Sequence, residues 1–232
     1  MSRSQSMAGQ VPVSILKADA RARFISLTYV HLLFAILGFA GIEVALFQSG
    51  MAAKIAETLL GTSWLLVLGG FIVVGWLATH TAHTARSPVA QYAALIGFVT
   101  AEAIIFVPLL YVAEHQAPGV IESAALVTLI GFVGLTVVAW TTRKDFSFLG
   151  GILRWGFVVA LVLIVAGVIF GFELGTFFSV AMIALAGGSI LYDTSNILHH
   201  YPEDRYVGAS LELFASVALL FWYVIRLFLS RD

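Results

Sequence analysis

Seven stretches of the chain, at 25–48, 62–80, 90–113, 120–141, 149–171, 175–198 and 207–229, each hold about twenty mostly apolar residues. That is the length a helix needs to cross a hydrocarbon core of about 30 Å. Of the 232 residues 60% are apolar or aromatic and 11% are charged, against about a quarter charged in a soluble domain. The missing charge means that most of the surface faces lipid. A spanning chain must satisfy its backbone internally, so the sequence predicts an all-α integral membrane protein. The expected form is a seven-helix bundle over 24–232, preceded by a polar tail at 1–23. The tail has the look of a signal n-region, but the apolar run behind it exceeds twenty residues and has no A-x-A-type site. An uncleaved first span is expected.

Lysine and arginine set the orientation. With the N-terminus cytoplasmic, that side holds Arg3, Lys17, Arg21, Arg23, Arg86, Arg143, Lys144, Arg154 and Arg205, leaving Lys54, Arg226 and Arg231 opposite. Nine against three places the N-terminus inside, and seven crossings place Asp232 outside. A net charge of -1 removes the basic footprint of a nucleic-acid binder. With no cysteine in the chain, disulfides, thiolate metal sites and a cysteine nucleophile are excluded. Gly167 and Gly171 stand at GxxxG spacing, which either permits close helix approach or follows from glycine being frequent.

Ionisable side chains at bilayer depth are costly and face a bundle interior, a partner or water. Glu43 falls near the outer end of the first span, where it is expected to reach headgroups, and Arg226 is placed to snorkel outward. Glu102 lies in the middle of the third span. Ser189, Asp193 and Asn196 share one face of the sixth. In a symmetric hairpin about position 202.5 the residue level with Asp193 is Glu212. Two carboxylates at one depth would share a proton or hold a cation; the other reading has each bonded separately to hydroxyls or backbone.

Other membrane chemistries lack their residues. A retinal protein needs a lysine within a late span, whereas Lys17, Lys54 and Lys144 lie in the tail or in loops. Gly187-Gly188-Ser189 looks like a rhomboid serine motif, but His199 and His200 lie about 15 Å further along the same helix. His80, His83, His199 and His200 fall on one side of the membrane, where they are a metal or pH-sensing cluster or simply interfacial histidines. No nucleophile has a base in reach and no cofactor motif is present, so no enzyme is expected.

The stretches Thr141–Leu153 (TTRKDFSFLGGIL) and Ile190–His200 (ILYDTSNILHH), with Gly97, Phe98, Glu102, Pro108 and Leu109 and the terminal Ser230 to Asp232, resemble the Bax inhibitor-1 (TMBIM) superfamily, most closely its bacterial YccA-like branch. The resemblance covers spans three to seven and is weak over the first 60 residues. It implies a bundle with the last span central, and a pH-sensitive calcium leak controlled by an aspartate pair from spans six and seven. Asp193 matches the first aspartate; Ser216 stands where calcium-leak members carry the second. Either Glu212, one turn earlier on the same face, supplies that carboxylate, or ion conduction has been given up.

The bacterial branch further implies the inner membrane and the membrane-anchored AAA protease FtsH as partner, engaging the cytoplasmic tail. Two functions are therefore expected: a modulator or substrate of FtsH in membrane-protein quality control, or a cation leak lined by Asp193, Glu212 and Glu102 with Ser189, Ser216 and Asn196. No cofactor is expected beyond a possible Ca2+, whose preference for several hard oxygens makes two carboxylates and a hydroxyl a sparse site.

Overall fold

A computed structural model describes residues 12–85 and 87–230. The described residues form eight α-helices, α1 (Ala18–Gln48), α2 (Met51–Leu60), α3 (Trp64–Thr84), α4 (Pro88–Gln116), α5 (Val120–Thr142), α6 (Leu149–Phe170), α7 (Gly175–His199) and α8 (Tyr206–Leu229). All but α2 are long and apolar enough to span a bilayer; among the described residues no β-ladder joins them, and a single β-bridge pairs Pro12 with Pro202. The chain is thus a seven-span helical membrane protein. The face carrying the N-terminus is called the inner face below, and the opposite one the outer face.

α8 is the axis of the bundle, packed on α7, α1, α5, α4 and α3, whereas α3 and α6 are covered least. Lipid is as apolar as leucine, so packing rather than the hydrophobic effect selects these contacts. Phe106 of α4 takes Trp222 edge-on at 4.9 Å and Phe39 at 5.0 Å between ring centroids, and Phe98 meets Phe214 at 6.2 Å. Edge-on pairs of this kind add roughly 0.5–1.5 kcal/mol each beyond burial. Together they tie α1, α4 and α8 at mid-depth.

Three features differ from the sequence expectation. First, α1 begins at Ala18, inside the stretch read as tail, and the residues before it are docked. Val13 is fully buried and its N–H donates to the Tyr201 carbonyl at 2.8 Å. Residues 1–11 lie outside the described part. Second, α2 fills what was read as a plain outer loop, burying Ala52 and Ala56 against Val107 of α4. Third, Gly167 and Gly171 are no helix-crossing motif. Gly171 is left-handed at φ 71°, and the N–H groups of Gly171 and Phe172 both donate to the Gly167 carbonyl, a glycine C-cap that stops α6. A Cβ on Gly167 would sit 3.1 Å from the Phe172 oxygen.

The α5–α6 loop is pinned to the inner end of α7. Asp145 Oδ1 accepts from the Ser147 N–H at 2.9 Å, Asp145 Oδ2 meets His200 Nε2 at 3.0 Å, and the Phe146 N–H donates to Ser195 Oγ at 2.8 Å. The Ser147 N–H, with His200 adding to it, holds the Asp145 carboxyl down at about 2. A lowered pKa places the loop's contribution fully above the ordinary value near 4, to be lost as pH falls towards 2. The expected Asp145 midpoint in a carboxyl-carbon NMR titration is near 2; a midpoint at or above about 4 would remove this anchor from the account.

Candidate functional site

Asp193 of α7 is buried, and the Ser216 hydroxyl donates to its Oδ2 at 2.5 Å. The symmetric hairpin had matched it with Glu212. The register differs by one turn because side chains lean towards the N-terminus of their own helix. On antiparallel helices Asp193 leans outward and its partner inward, so they meet four residues further along α8. Ser216 is also the position where the sequence resemblance placed the second aspartate of calcium-leak proteins.

Glu212 does not bond to Asp193. His83 Nε2 of α3 lies 2.8 Å from Glu212 Oε1, and the Tyr201 hydroxyl donates to Oε2. The Tyr201 ring lies between Phe24 and His83, at 6.2 and 5.8 Å between centroids. Burial first, and then the Glu212 charge, push the Tyr201 phenol well above its usual range, so it stays a donor at every physiological pH. Phe24, His83, Tyr201 and Glu212 thereby join α1, α3, the α7–α8 turn and α8 at the inner face.

Between these networks and the outer face lies a cavity of about 1490 Å³ reached by Glu102, Ser189, Asp193, Glu212 and Ser216. Five of the six candidate residues therefore share one space. The sixth, Asn196, lines a smaller inner vestibule of about 660 Å³ with His83, His200, Tyr201 and Arg205, and Glu212 borders both. Ser189 donates back to the Leu185 carbonyl at 3.0 Å, so its hydroxyl proton is turned to its own helix and not to a base. Glu102 is 6% exposed and makes no hydrogen bond to any described residue.

One polar residue is not where the sequence reading put it. Glu43, expected at the headgroups, is buried with neither carboxylate oxygen bonded to a described residue; the helix α2, packed on α1 and α4 at that end, was missing from that reading. The four inner-face histidines do not gather. His83 meets Glu212, His200 meets Asp145, His199 bonds the Ser195 carbonyl and His80 stacks on Trp76 at 5.4 Å. Among the described residues no group of three or more metal-ligating side chains forms. Arg226 is half-buried with its guanidinium 5.9 Å from the Tyr223 centroid.

Tyr201 and Val13 were not foreseen as site residues. The only signal for Tyr201 was a large aromatic in a turn otherwise made of Pro, Glu, Asp and Arg. Ser216 gives a direct test of the Asp193 geometry. Ser216→Ala strips a buried carboxyl of its one described side-chain partner and is expected to cost about 1–3 kcal/mol. Asp193→Asn keeps an acceptor and is expected to cost less. Unfolding of the purified variants in micelles decides; equal losses would mean that the bond carries no weight.

The model of the family described as "Inhibitor of apoptosis-promoting Bax1" matches residues 21–232. The chain is 32% identical over 172 residues to the modulator of FtsH protease YccA of Escherichia coli, covering 72% of this chain and 76% of that one. A Pseudomonas aeruginosa protein is 32% identical over 168 residues, 70% of this chain and 72% of its own length. The Golgi anti-apoptotic protein of vaccinia virus is 27% identical over 171 residues, covering 72% and 69%.

Proposed function

The chain belongs to the Bax inhibitor-1 family, and from that membership we propose that it is a multi-pass inner-membrane protein that modulates, or is processed by, an FtsH-type protease in membrane-protein quality control. The observation that carries this is the similarity to the E. coli FtsH modulator over 172 residues. The docked segment at Pro12–Ile15 is consistent with it. Its bonds to the α7–α8 turn hold the point where the preceding tail enters the bundle, and a protease that pulls on the tail must first undo them. In this reading the N-terminus is cytoplasmic, the C-terminus periplasmic, and the buried acids serve mainly to hold helices together. With purified FtsH and a membrane-protein substrate, added chain is expected to slow substrate degradation in proportion to its amount. A degradation rate indifferent to the chain would end the proposal.

A second reading, a pH-sensitive cation leak, is favoured by one arrangement: Glu102, Asp193, Ser216 and Glu212 border a single cavity. Asp193 and Ser216 offer Ca2+ few protein oxygens, so a passing ion would keep most of its water. Liposomes holding the wild type would then show Ca2+ flux that changes between pH 5 and 8 and is lost in Asp193→Asn with Glu212→Gln. Absence of flux from folded, inserted protein removes this reading.

A further inference from the structure

The large cavity is open on one side. α3 and α6 meet over only a short contact, and Ile72 and Trp76 of α3 and Phe157 and Val168 of α6 line the cavity while remaining 45%, 63%, 36% and 43% exposed. Ile72, Trp76 and Phe157 belong to the middle of spans and Val168 to the outer end of α6, so this flank of the cavity faces lipid, while Gln116 and Glu173 carry its lining to the outer end of the bundle. It is a groove cut into the side of the bundle, lined there by exposed apolar side chains.

Its walls are apolar, yet ionisable groups follow one another along its floor. On α8 alone Glu212 and Arg226 both line it, fourteen residues apart, or about 21 Å of a core about 30 Å thick. Asp193, Ser216 and Glu102 lie between. Arg154 faces them from α6: Leu153 packs on Gly188 and Leu185 on Gly156, which sets Arg154 roughly 9 Å along the axis from Asp193. Arg154 is exposed and has no ion pair or hydrogen bond with any described residue, and Arg226 pairs with no described acid. Glu102 is more than nine-tenths buried, has no partner among the described residues, and lines the same space. Charged groups at this depth are expensive unless a pathway or a ligand uses them. Here acids and guanidiniums share one groove without pairing with each other.

A ligand that satisfies both signs at once, and reaches the groove from lipid, carries an ammonium, a phosphate and acyl chains. We propose that the α3–α6 groove binds the headgroup of a zwitterionic phospholipid and passes it between the two leaflets. Glu102 and Asp193 receive the ammonium, Arg154 and Arg226 receive the phosphate, and the acyl chains stay in the bilayer outside the opening. This goes beyond the protease reading and stands without it.

The test uses the full chain in phosphatidylcholine vesicles with a trace of phosphatidylethanolamine bearing a fluorophore on a short acyl chain, so that its amine is intact. Albumin added outside extracts label from the outer leaflet, and albumin is too large to pass any ion leak. Extraction is expected to stop at one leaflet in protein-free vesicles and to run to completion with the chain. Arg154→Leu with Glu102→Gln is expected to slow the second phase about tenfold, the change that losing hydrogen bonds to charged groups brings. Gly75→Leu, which narrows the groove beside Phe98 without touching a charge, is expected to slow it as well. Extraction that stops at one leaflet with folded wild type overturns the proposal, and so does a second phase unchanged in both variants.

Discussion

Gly208→Leu is expected to lower the stability of the purified protein by about 3 kcal/mol, combining an overpacked helix contact with the loss of a charge-assisted hydrogen bond. A Cβ at position 208 would lie 3.0 Å from His83 Cε1, 3.1 Å from its Nδ1 and 3.3 Å from the Ala82 carbonyl. α8 can approach α3 this closely because position 208 has no side chain, and the approach brings His83 to Glu212. Leucine there must push α3 away, and the imidazole with it. Gly208→Ala is expected to show a smaller loss that shrinks further in the His83→Ala background, because the methyl then meets space where the ring was. Unfolding curves in micelles for the four proteins provide the cycle. A leucine variant as stable as wild type would mean that the inner ends of α3 and α8 are not in contact.

Val13→Asp is expected to release the segment ahead of α1 while leaving the bundle intact. Fully burying a valine contributes about 1.5–3 kcal/mol, and the hydrogen bond to the Tyr201 carbonyl adds to the loss once the segment leaves. A charge cannot take the buried place, so the segment undocks. Losing about 2 kcal/mol raises the undocked population roughly thirtyfold, and amide exchange over residues 13–17 is expected to quicken by that factor. Val13→Ile keeps the anchor and is expected to exchange like the wild type. If Val13→Asp exchanges no faster, the segment is held by something other than this contact. Under the protease reading the aspartate variant is also degraded faster in cells, since the first barrier to pulling on the tail is gone.

The number and placement of spans were legible because lipid imposes one requirement on every spanning residue, and seven apolar runs state it seven times. α2 was not legible: ten residues with Lys54 and Glu57 look like a loop to a reading that asks only what crosses a bilayer. The start of α1 was missed for the same reason, since Ala18–Arg23 is polar but still helical where it emerges. That Asp193 turns into the bundle was legible from its depth and its face. Its partner was not, because a level match ignores the opposite lean of side chains on antiparallel helices, and that lean moves the contact from Glu212 to Ser216. Tyr201 and Val13 became visible only when the turn, α1 and α3 were brought together. Asp145 and His200 had drawn notice as parts of two separate stretches, Thr141–Leu153 and Ile190–His200; folding makes those stretches a single contact.

The central claim, that an FtsH-type protease acts on this chain through the cytoplasmic tail, is tested most directly by pulse–chase. The C-terminally tagged chain and a version lacking residues 2–11, which leaves Val13 and its contacts in place, are followed in cells with active and with inactive FtsH. The account predicts that the full chain decays only where FtsH is active and that the shortened chain persists in both. Equal FtsH-dependent decay of the two, or decay of the full chain that is indifferent to FtsH, would contradict it.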